Sequence, residues 1–336
     1  MAETAVTPLQ VATFYRFTTL EDPAALRMTL LERGARAQLK GTVLLATEGL
    51  NATICGTSEG VADFITSLQE DARFVDLPVK YSQVPGDAPA FLRFKVKLKA
   101  EIVTLGVPGV DVAAHSAQRV APAAFNELLA DPRVAVLDVR NHYETRVGSF
   151  EGAEDPNTES FREFPSYIEA RFGEDREQPI AMFCTGGIRC EKASAYLREQ
   201  GFSQVYQLDG GVLRYLEQVP PEHSRWRGDC FVFDQRVTVD HALSPGEYRQ
   251  CFACRRPVSP QATASPKYRE GVSCPACFDE KSEQERAGYM ERQNQMALAR
   301  DRGVAHIGPE AQQGSAGGDA ESASLQELGH RVPDRP

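Results

Sequence analysis

The segment P-I-A-M-F-C-T-G-G-I-R-C (179–190) decides the fold of the central part of the chain. Its first five residues are typical of a buried apolar strand, the loop follows at 184–190, and a helix is predicted over 191–200. Further strands and helices alternate on either side, at 134–139, 161–172, 205–208 and 212–218. Strands that alternate with helices indicate a parallel α/β sheet, which we expect to span 123–221.

Cys184 directly follows the apolar strand, at the sheet edge where α/β folds place their ligand sites. The glycines of the loop allow successive backbone N–H groups to converge on the sulfur, and the next helix adds the positive end of its dipole. Such surroundings lower a cysteine pKa from about 8.5 to roughly 3.5–7.5. We therefore predict that Cys184 is a reactive nucleophile assisted by the charge of Arg189. The rest of the catalytic loop consists of Thr185, Gly186, Gly187, Ile188 and Cys190.

The length of the loop distinguishes between two reactions of a loop cysteine, phosphate transfer and sulfur transfer. A cysteine phosphatase needs about five residues between cysteine and arginine to encircle a phosphate, whereas four intervene between Cys184 and Arg189. This spacing favours a persulfide over a phosphocysteine. Cys190 is either a resolving thiol that condenses with oxidised Cys184 or a small residue that packs the helix.

The N-terminal part of the chain, 1–104, has a different pattern. A strand is predicted over 11–17, a helix begins after Asp22, and two β-rich runs joined through Glu48 and Gly49 indicate a hairpin. A second helix carries apolar residues at i, i+3, i+4 and i+7 from Val61, and a strand follows over 76–84. The order β-α-β-β-α-β predicts a ferredoxin-like domain.

A basic stripe follows within F-L-R-F-K-V-K-L-K (91–99), a predicted strand whose side chains alternate between two faces. One face carries Arg93, Lys95, Lys97 and Lys99. Four like charges on one face repel each other unless they are screened or partnered. The stripe is therefore either the solvated outer face of an edge strand or a surface that contacts phosphates.

Seven of the eight cysteines lie between 184 and 277, and four of them form two C-x-x-C pairs. The pairs are Cys251 with Cys254 and Cys274 with Cys277, a spacing that matches a tetrahedral zinc site with four thiolate ligands. Redox-active pairs and disulfides are the alternatives. A structural zinc is favoured, since cytosolic thiols stay mostly reduced.

Length and composition limit the number of domains, the kinds of partner and the localisation that we expect. A chain of 336 residues exceeds the roughly 250 residues of a single core, so we expect a linker over 105–122, a cysteine-rich region over 222–300 and a disordered tail over 301–336. The net charge of −10 argues against nucleic-acid binding by the whole-molecule field. Neither a leader nor a membrane span is evident, so a soluble cytoplasmic protein is expected, with no membrane association and no obligate protein partner.

Several motifs together carry a resemblance to a known family. The segments D-V-R-N-H-Y-E (138–144), G-S-F-E-G-A (148–153) and C-T-G-G-I-R (184–189) resemble rhodanese motifs. More narrowly, the chain resembles the bacterial tRNA uridine(34) hydroxylases. The segments that carry this second resemblance are T-E-G-L-N-A-T-I (47–54), F-K-V-K-L-K-A-E-I-V-T-L-G (94–106), F-R-E-F-P (161–165) and C-T-G-G-I-R-C-E-K (184–192).

The resemblance implies dioxygen-dependent conversion of the tRNA wobble uridine to 5-hydroxyuridine, with Cys184 as the loop cysteine that forms a persulfide. It also implies tRNA as the partner, bound through its anticodon arm, and gives the basic stripe a role in holding phosphates. No G-x-G-x-x-G segment is present, so no nucleotide cofactor is expected. A rhodanese-type sulfurtransferase and a non-catalytic RNA- or partner-binding module are the competing functions, since the fold alone does not choose among them.

Overall fold

The computed structural model describes residues 9–84, 90–115 and 117–302, and residues up to Met290 belong to one compact unit. Nearly all of the predicted disordered tail, 301–336, lies outside the described residues. None of the helices within these residues has the length and apolar character needed to cross a bilayer.

A five-stranded sheet with two helices forms the N-terminal domain. Its elements are β1 (Leu9–Phe17), α1 (Pro23–Arg36), β2 (Lys40–Ala46), β3 (Gly49–Thr57), α2 (Ser58–Gln69), β4 (Val79–Val84) and β5 (Phe94–Leu98). The strand order is β4-β1-β3-β2-β5, with β5 parallel to β2 and the other pairs antiparallel. The first four strands have the predicted ferredoxin-like arrangement, and β5 extends it at one edge.

The two helices begin for different local reasons. The Thr57 side chain caps α2 by accepting a hydrogen bond from the Gly60 N–H at 3.1 Å, and the predicted apolar face of this helix is buried. Asp22 precedes α1 as expected, but its side chain makes no capping hydrogen bond. It accepts instead from Arg73 at 2.9 Å, so the fixed φ of Pro23 favours the start of α1 without a side-chain cap.

A parallel four-stranded sheet forms the centre of the chain, in the order β6-β10-β9-β7. Its elements are β6 (Gln118–Val120), α3 (Pro122–Ala130), β7 (Ala135–Asp138), α4 (His142–Thr145), β8 (Gly148–Phe150), α5 (Phe164–Phe172), β9 (Ile180–Phe183), α6 (Ile188–Glu199), β10 (Val205–Leu208) and α7 (Gly211–Gln218). The predicted parallel α/β domain is therefore confirmed.

Two boundaries within this domain differ from the sequence-based expectation. The predicted linker, 105–122, contains β6, which pairs with β10, and its residue Leu105 packs in the core of the domain. Helix α6 begins at Ile188 instead of 191, because the chain turns sharply at Gly187. Arg189 and Cys190 therefore lie in the first turn of the helix and not in the loop.

Strand β9 has hydrophobic cores on both of its faces. Ile180 and Met182 pack in one core with α5 and α6, and Ala181 and Phe183 pack in the other with α3 and α7. Burial on both faces explains the continuous apolar run in the sequence. It also places the residue after Phe183 at a rigid sheet edge.

Small elements complete the chain: β11 (Trp226–Gly228), β12 (Cys230–Phe231), β13 (Thr238–Val239), β14 (Arg249–Gln250), β15 (Pro257–Val258), α8 (Pro260–Thr263) and α9 (Glu283–Asp301). Strand β11 pairs with β8, and β12 pairs with β13. Trp226 is 3% exposed and packs on Phe150 and the Arg140 guanidinium, so it anchors the core and does not offer a surface for bases. Arg140 also forms a buried ion pair with Asp138, at 2.6 Å.

Candidate active site

The Cys184 sulfur lies at the carboxyl end of β9, with the backbone curled around it. Gly187 has φ +104°, in the left-handed region that favours glycine, and its N–H donates to the Cys184 Sγ at 3.1 Å. Gly211 lies beneath the loop with φ +69°, where a Cβ would come within 2.5 Å of the Cys184 carbonyl oxygen. Both glycines therefore allow a tight loop that a side chain at either position would distort.

The surroundings of Cys184 stabilise its thiolate. Burial alone would raise the pKa, but a hydrogen bond from the Cys190 thiol, the charge of Arg189 and the N–H groups of Cys190 and Gly187 together lower the pKa of Cys184 to about 5. Burial and the neighbouring Cys184 sulfur raise the pKa of Cys190 well above its ordinary value. At neutral pH, Cys184 is therefore the anion and Cys190 the protonated donor.

Cys190 is buried and packs in the core beside α5, as the packing alternative predicted. Its role as a resolving thiol stays a prediction. Cys55 and Cys230 are buried packing residues, and burial raises the pKa of Cys230 to about 12. Both therefore keep their protons at neutral pH.

Arg189 does not face the sulfur as a free cation. Its Nη1 and Nη2 donate to the two carboxylate oxygens of Glu144 at 2.6 and 2.8 Å, and both side chains are buried. Glu144 is on α4, so this pair ties the start of α6 to the segment after β7. The pair fixes the guanidinium near Cys184 while offsetting part of its charge.

Two side chains of the N-terminal domain reach the loop. Lys80 on β4 donates from Nζ to the Gly186 carbonyl oxygen at 2.7 Å and also to that of Gly210. Tyr15 on β1 has its hydroxyl close to Gly187, and it donates to Glu191 at 3.3 Å. Residues of both domains therefore contribute to the surroundings of the reactive loop.

An ion-pair cluster holds the two domains together behind the loop. Lys192 on α6 is 2% exposed, and its Nζ donates to both carboxylate oxygens of Glu48, at 2.9 and 2.7 Å, and to Glu101 at 2.5 Å. Glu48 lies in the turn between β2 and β3, and Glu101 follows β5. One shared ammonium group therefore links helix α6 to the β2–β3 hairpin and to the segment after β5.

The basic stripe lies on the exposed face of the edge strand β5 and of the residues that flank this strand. Its four side chains are exposed, while Val96 faces the core. Partial burial and the nearby charges of Arg93, Lys97 and Arg255 lower the pKa of Lys95. The solvent-exposed edge that the alternation predicted is therefore observed, and the stripe extends toward Arg255 of the cysteine-rich region.

The four cysteines of the two C-x-x-C pairs come together in one cluster. Their sulfurs lie within 4.8 Å of one another, with Cys251 and Cys277 3.8 Å apart and Cys254 and Cys274 3.7 Å apart. Beside this cluster, Arg256 pairs with Glu159 and Glu280, so its charge is not free for a ligand.

Sequence reasoning missed Tyr15, Lys80 and the partner of Arg189. Nothing in the local pattern of β1 or β4 distinguishes Tyr15 or Lys80 from other partly exposed strand residues. Lys80 is 106 residues from Gly186 in the chain, and Glu144 is 45 residues from Arg189. Packing between the two domains brings Lys80 to the loop, and packing within the rhodanese domain brings Glu144 to Arg189.

Comparisons with solved structures show likenesses to rhodanese-like proteins. The Alr3790 protein of Anabaena sp. is 20% identical, with 32% of this chain and 91% of that chain covered and a TM-score of 0.27. Thiosulfate sulfurtransferase of Pseudomonas aeruginosa is 24% identical, with 30% and 18% covered and a TM-score of 0.25. The human single-domain sulfurtransferase TSTD1 is 23% identical, with 31% and 99% covered and a TM-score of 0.26.

Family models match both domains. Residues 121–218 match the rhodanese-like domain, and this match, together with the Cys184 loop, defines a rhodanese-domain protein. Residues 9–102 match the UPF0176 acylphosphatase-like domain. The chain thus combines a UPF0176 acylphosphatase-like domain with a rhodanese-like domain, and this domain architecture confirms the family resemblance noted in the sequence.

Proposed function

We propose that this protein is a tRNA hydroxylase that converts the wobble uridine, position 34, to 5-hydroxyuridine with dioxygen as co-substrate. The observation that carries the proposal is the shared site: Lys80 and Tyr15 of the UPF0176 domain contact the loop that bears the Cys184 thiolate. A small-molecule sulfurtransferase would need no second domain at this loop. We place the reaction in the cytoplasm, where thiols stay reduced.

In this proposal, the Cys184 thiolate adds to C6 of the uracil, and the electron pair of the C5–C6 double bond makes C5 nucleophilic. C5 then bonds to dioxygen. Two external thiols reduce the O–O bond, which leaves a hydroxyl on C5 and yields water and one disulfide. Loss of the C5 proton and departure of the thiolate restore the double bond. Because the sulfur is buried, the uridine must be unstacked from its neighbours to reach it.

The partner in this proposal is the anticodon arm of tRNA, positioned through its phosphates. The exposed residues Arg93, Lys95, Lys97 and Lys99 support it, because none of them forms a salt bridge within the described part of the chain. A local positive surface binds phosphates even on a protein of net charge −10. The stripe would set the position of the RNA without specifying its bases.

We also propose that the cysteine cluster holds one structural zinc ion. With Zn–S bonds of about 2.3 Å in a tetrahedral site, neighbouring sulfurs are about 3.8 Å apart, which fits the distances of 3.7 and 3.8 Å. Disulfides would need about 2.05 Å. Four thiolates leave no open coordination position, so Cys251, Cys254, Cys274 and Cys277 would hold the ion for folding and not for catalysis.

Nucleoside mass spectrometry tests the main proposal. We expect tRNA from a strain lacking this protein to lose 5-hydroxyuridine, the wild-type gene to restore it and Cys184→Ala not to restore it. Reaction under isotopically labelled dioxygen should place the label in the hydroxyl group. Normal hydroxylation by Cys184→Ala would contradict the assigned chemistry.

A persulfide sulfurtransferase is the second candidate, favoured by the four-residue spacing between Cys184 and Arg189 and by the Gly187 N–H that points at the sulfur. In that reaction the Cys184 thiolate takes a sulfur atom from thiosulfate and releases sulfite. A stable gain of one sulfur in intact mass with thiosulfate, together with unchanged tRNA nucleosides in the deletion strain, would favour this candidate over the hydroxylase.

A further inference from the structure

Phe233 is an exposed aromatic residue in the turn that joins β12 to β13, with 58% of its surface accessible. The turn is closed by a hydrogen bond from the Val232 N–H to the Val237 carbonyl oxygen at 2.9 Å. Val237 is buried with φ +63°, a conformation that β-branched residues rarely adopt. The turn therefore holds Phe233 outward in a defined and costly geometry.

Contacts with both domains fix this turn. Arg236 forms an ion pair with Asp234 at 2.5 Å and donates to the Ser82 hydroxyl on β4 at 2.9 Å. The Gln235 N–H donates to the Ala90 carbonyl oxygen at 3.2 Å, a second link to the N-terminal domain. The turn that carries Phe233 is thus held in place by hydrogen bonds to the N-terminal domain.

The ring of Phe233 borders the reactive loop. The Arg189 guanidinium carbon lies 5.8 Å from the centroid of this ring, and Arg189 is the residue held by Glu144 beside Cys184. The ring also packs edge-on against buried Phe231, with centroids 5.1 Å apart. The carbonyl oxygen of Phe231 accepts from the Thr185 hydroxyl at 3.5 Å, which links the segment to the residue after Cys184.

Access to the loop is open on part of its surface. Gly186 is partly exposed, and a Cβ at this position would meet no atom within 4 Å. A flat ligand can therefore approach the loop from the side of Gly186. An exposed aromatic face with an arginine beside it suits a planar base, since stacking and cation–π contacts need no particular hydrogen-bond pattern.

We propose that Phe233 is a binding residue on which an unpaired pyrimidine base of RNA stacks as it enters the Cys184 loop. The assignment rests on the proposed function for the identity of the substrate, but stacking is measurable without catalysis. The ring supplies affinity for the extruded base, and the Cys184 loop supplies the chemistry.

Fluorescence of Phe233→Trp tests stacking directly. The natural Trp226 is buried, so the wild-type signal gives the background. The matched control is Phe252→Trp, because Phe252 is 43% exposed and has the Arg255 guanidinium 5.5 Å from its ring centroid, but belongs to the cysteine-rich region. With a seven-nucleotide single-stranded RNA carrying a central uridine, we expect saturable quenching at position 233 and little at 252. Equal quenching at both positions, or none at 233, would overturn the proposal.

Kinetic measurements separate binding from chemistry. Phe233→Leu keeps an apolar side chain but removes the π face, so we expect KM for tRNA to rise about tenfold with kcat nearly unchanged, while Phe233→Tyr stays near wild type. Unchanged KM for Phe233→Leu would contradict the assignment. If wild-type protein does not hydroxylate tRNA but the Phe233→Trp signal is quenched by the oligonucleotide, the proposed reaction fails and the base-binding site stands.

Discussion

Both carboxylate oxygens of Glu144 accept hydrogen bonds from Arg189, at 2.6 and 2.8 Å, and the side chains are 0% and 9% exposed. The charge that assists Cys184 is therefore part of a buried ion pair. Removing one member of such a pair costs more than removing both, because it leaves an uncompensated buried charge.

Arg189→Ala should both destabilise the protein, by about 3–5 kcal/mol, and raise the pKa of Cys184, because Glu144 is left unpaired near the thiolate. Glu144→Gln should not raise the pKa of Cys184, since the guanidinium charge remains. Chemical denaturation and the pH dependence of Cys184 alkylation measure the two effects. The double change Arg189→Met with Glu144→Leu is the control, and it should be more stable than Arg189→Ala. Equal stability of Arg189→Ala and wild type would contradict the burial of the pair.

The depressed pKa of Cys184 predicts its pH profile. In the folded protein the pKa of Cys184 is about 5, so the sulfur is a thiolate at higher pH. The rate of alkylation by a small reagent should therefore be independent of pH near neutrality and fall as the pH drops through about 5. Cys190→Ala removes a hydrogen-bond donor and should move the midpoint to higher pH, whereas Cys190→Ser keeps a donor and should move it less. A midpoint near the ordinary value of about 8.5 in wild type would show that the loop does not stabilise the thiolate.

Lys192→Met should loosen the contact between the two domains. The variant leaves Glu48 and Glu101 facing each other without their shared ammonium group, and we expect a loss of about 3 kcal/mol in the free energy of unfolding. The exposed pair of Lys281 with Glu285 gives the control, because Lys281→Met should cost less than about 1 kcal/mol. Similar losses in both variants would mean that the cluster does not join the domains.

Lys192 also sets the pH dependence of that contact. Burial by itself would raise the pKa of Glu101, but the hydrogen bond and charge of Lys192 lower this pKa below its ordinary value. A carboxyl group whose pKa is lower in the folded than in the unfolded protein stabilises the fold at pH values above its unfolded-state pKa. The contribution of Glu101 is therefore lost as the pH falls through its folded-state pKa. Limited proteolysis between the domains should therefore increase in acid, and Lys192→Met should reduce this pH dependence.

The cysteine cluster should bind close to one zinc ion per chain. Cys251→Ser and Cys274→Ser should lower the zinc content and expose the cysteine-rich region to protease, because four thiolates close the site only around the metal. Elemental analysis measures the content, and Cys55→Ser, at a packing cysteine outside the cluster, is the control. Metal-free wild-type protein with unchanged protease resistance would remove the zinc proposal.

Replacing Lys95 and Lys97 by Gln should weaken tRNA binding and reduce the slope of its salt dependence by about two, since each lysine that contacts a phosphate releases about one counterion. Alkylation of Cys184 should not change, because the stripe lies on the outer face of β5. The matched control is Lys267→Gln with Lys281→Gln, which removes the same charge elsewhere. Unaltered affinity would leave the stripe as a solvated strand face.

The sequence by itself determined the features that local pattern encodes. The apolar run 179–183 and the loop from Cys184 predicted a buried parallel strand with a reactive thiol at its end, because a strand buried on both faces has no polar alternation. The alternation at 91–99 predicted an edge strand with a basic face, and the two C-x-x-C spacings predicted the sulfur cluster. The start of α6 was placed three residues late, since the left-handed turn at Gly187 allows the helix to begin at once.

Only the tertiary structure decided which groups surround the thiolate. Lys80 meets Gly186 across 106 residues, and Glu144 meets Arg189 across 45, while Phe233 reaches the same loop from beyond the rhodanese domain. Hydrophobic periodicity reports which face of an element is buried but not which distant element covers it. The arrangement around Cys184 therefore follows from tertiary packing, both within the rhodanese domain and against the segments before and after it, which no local stretch of the chain specifies.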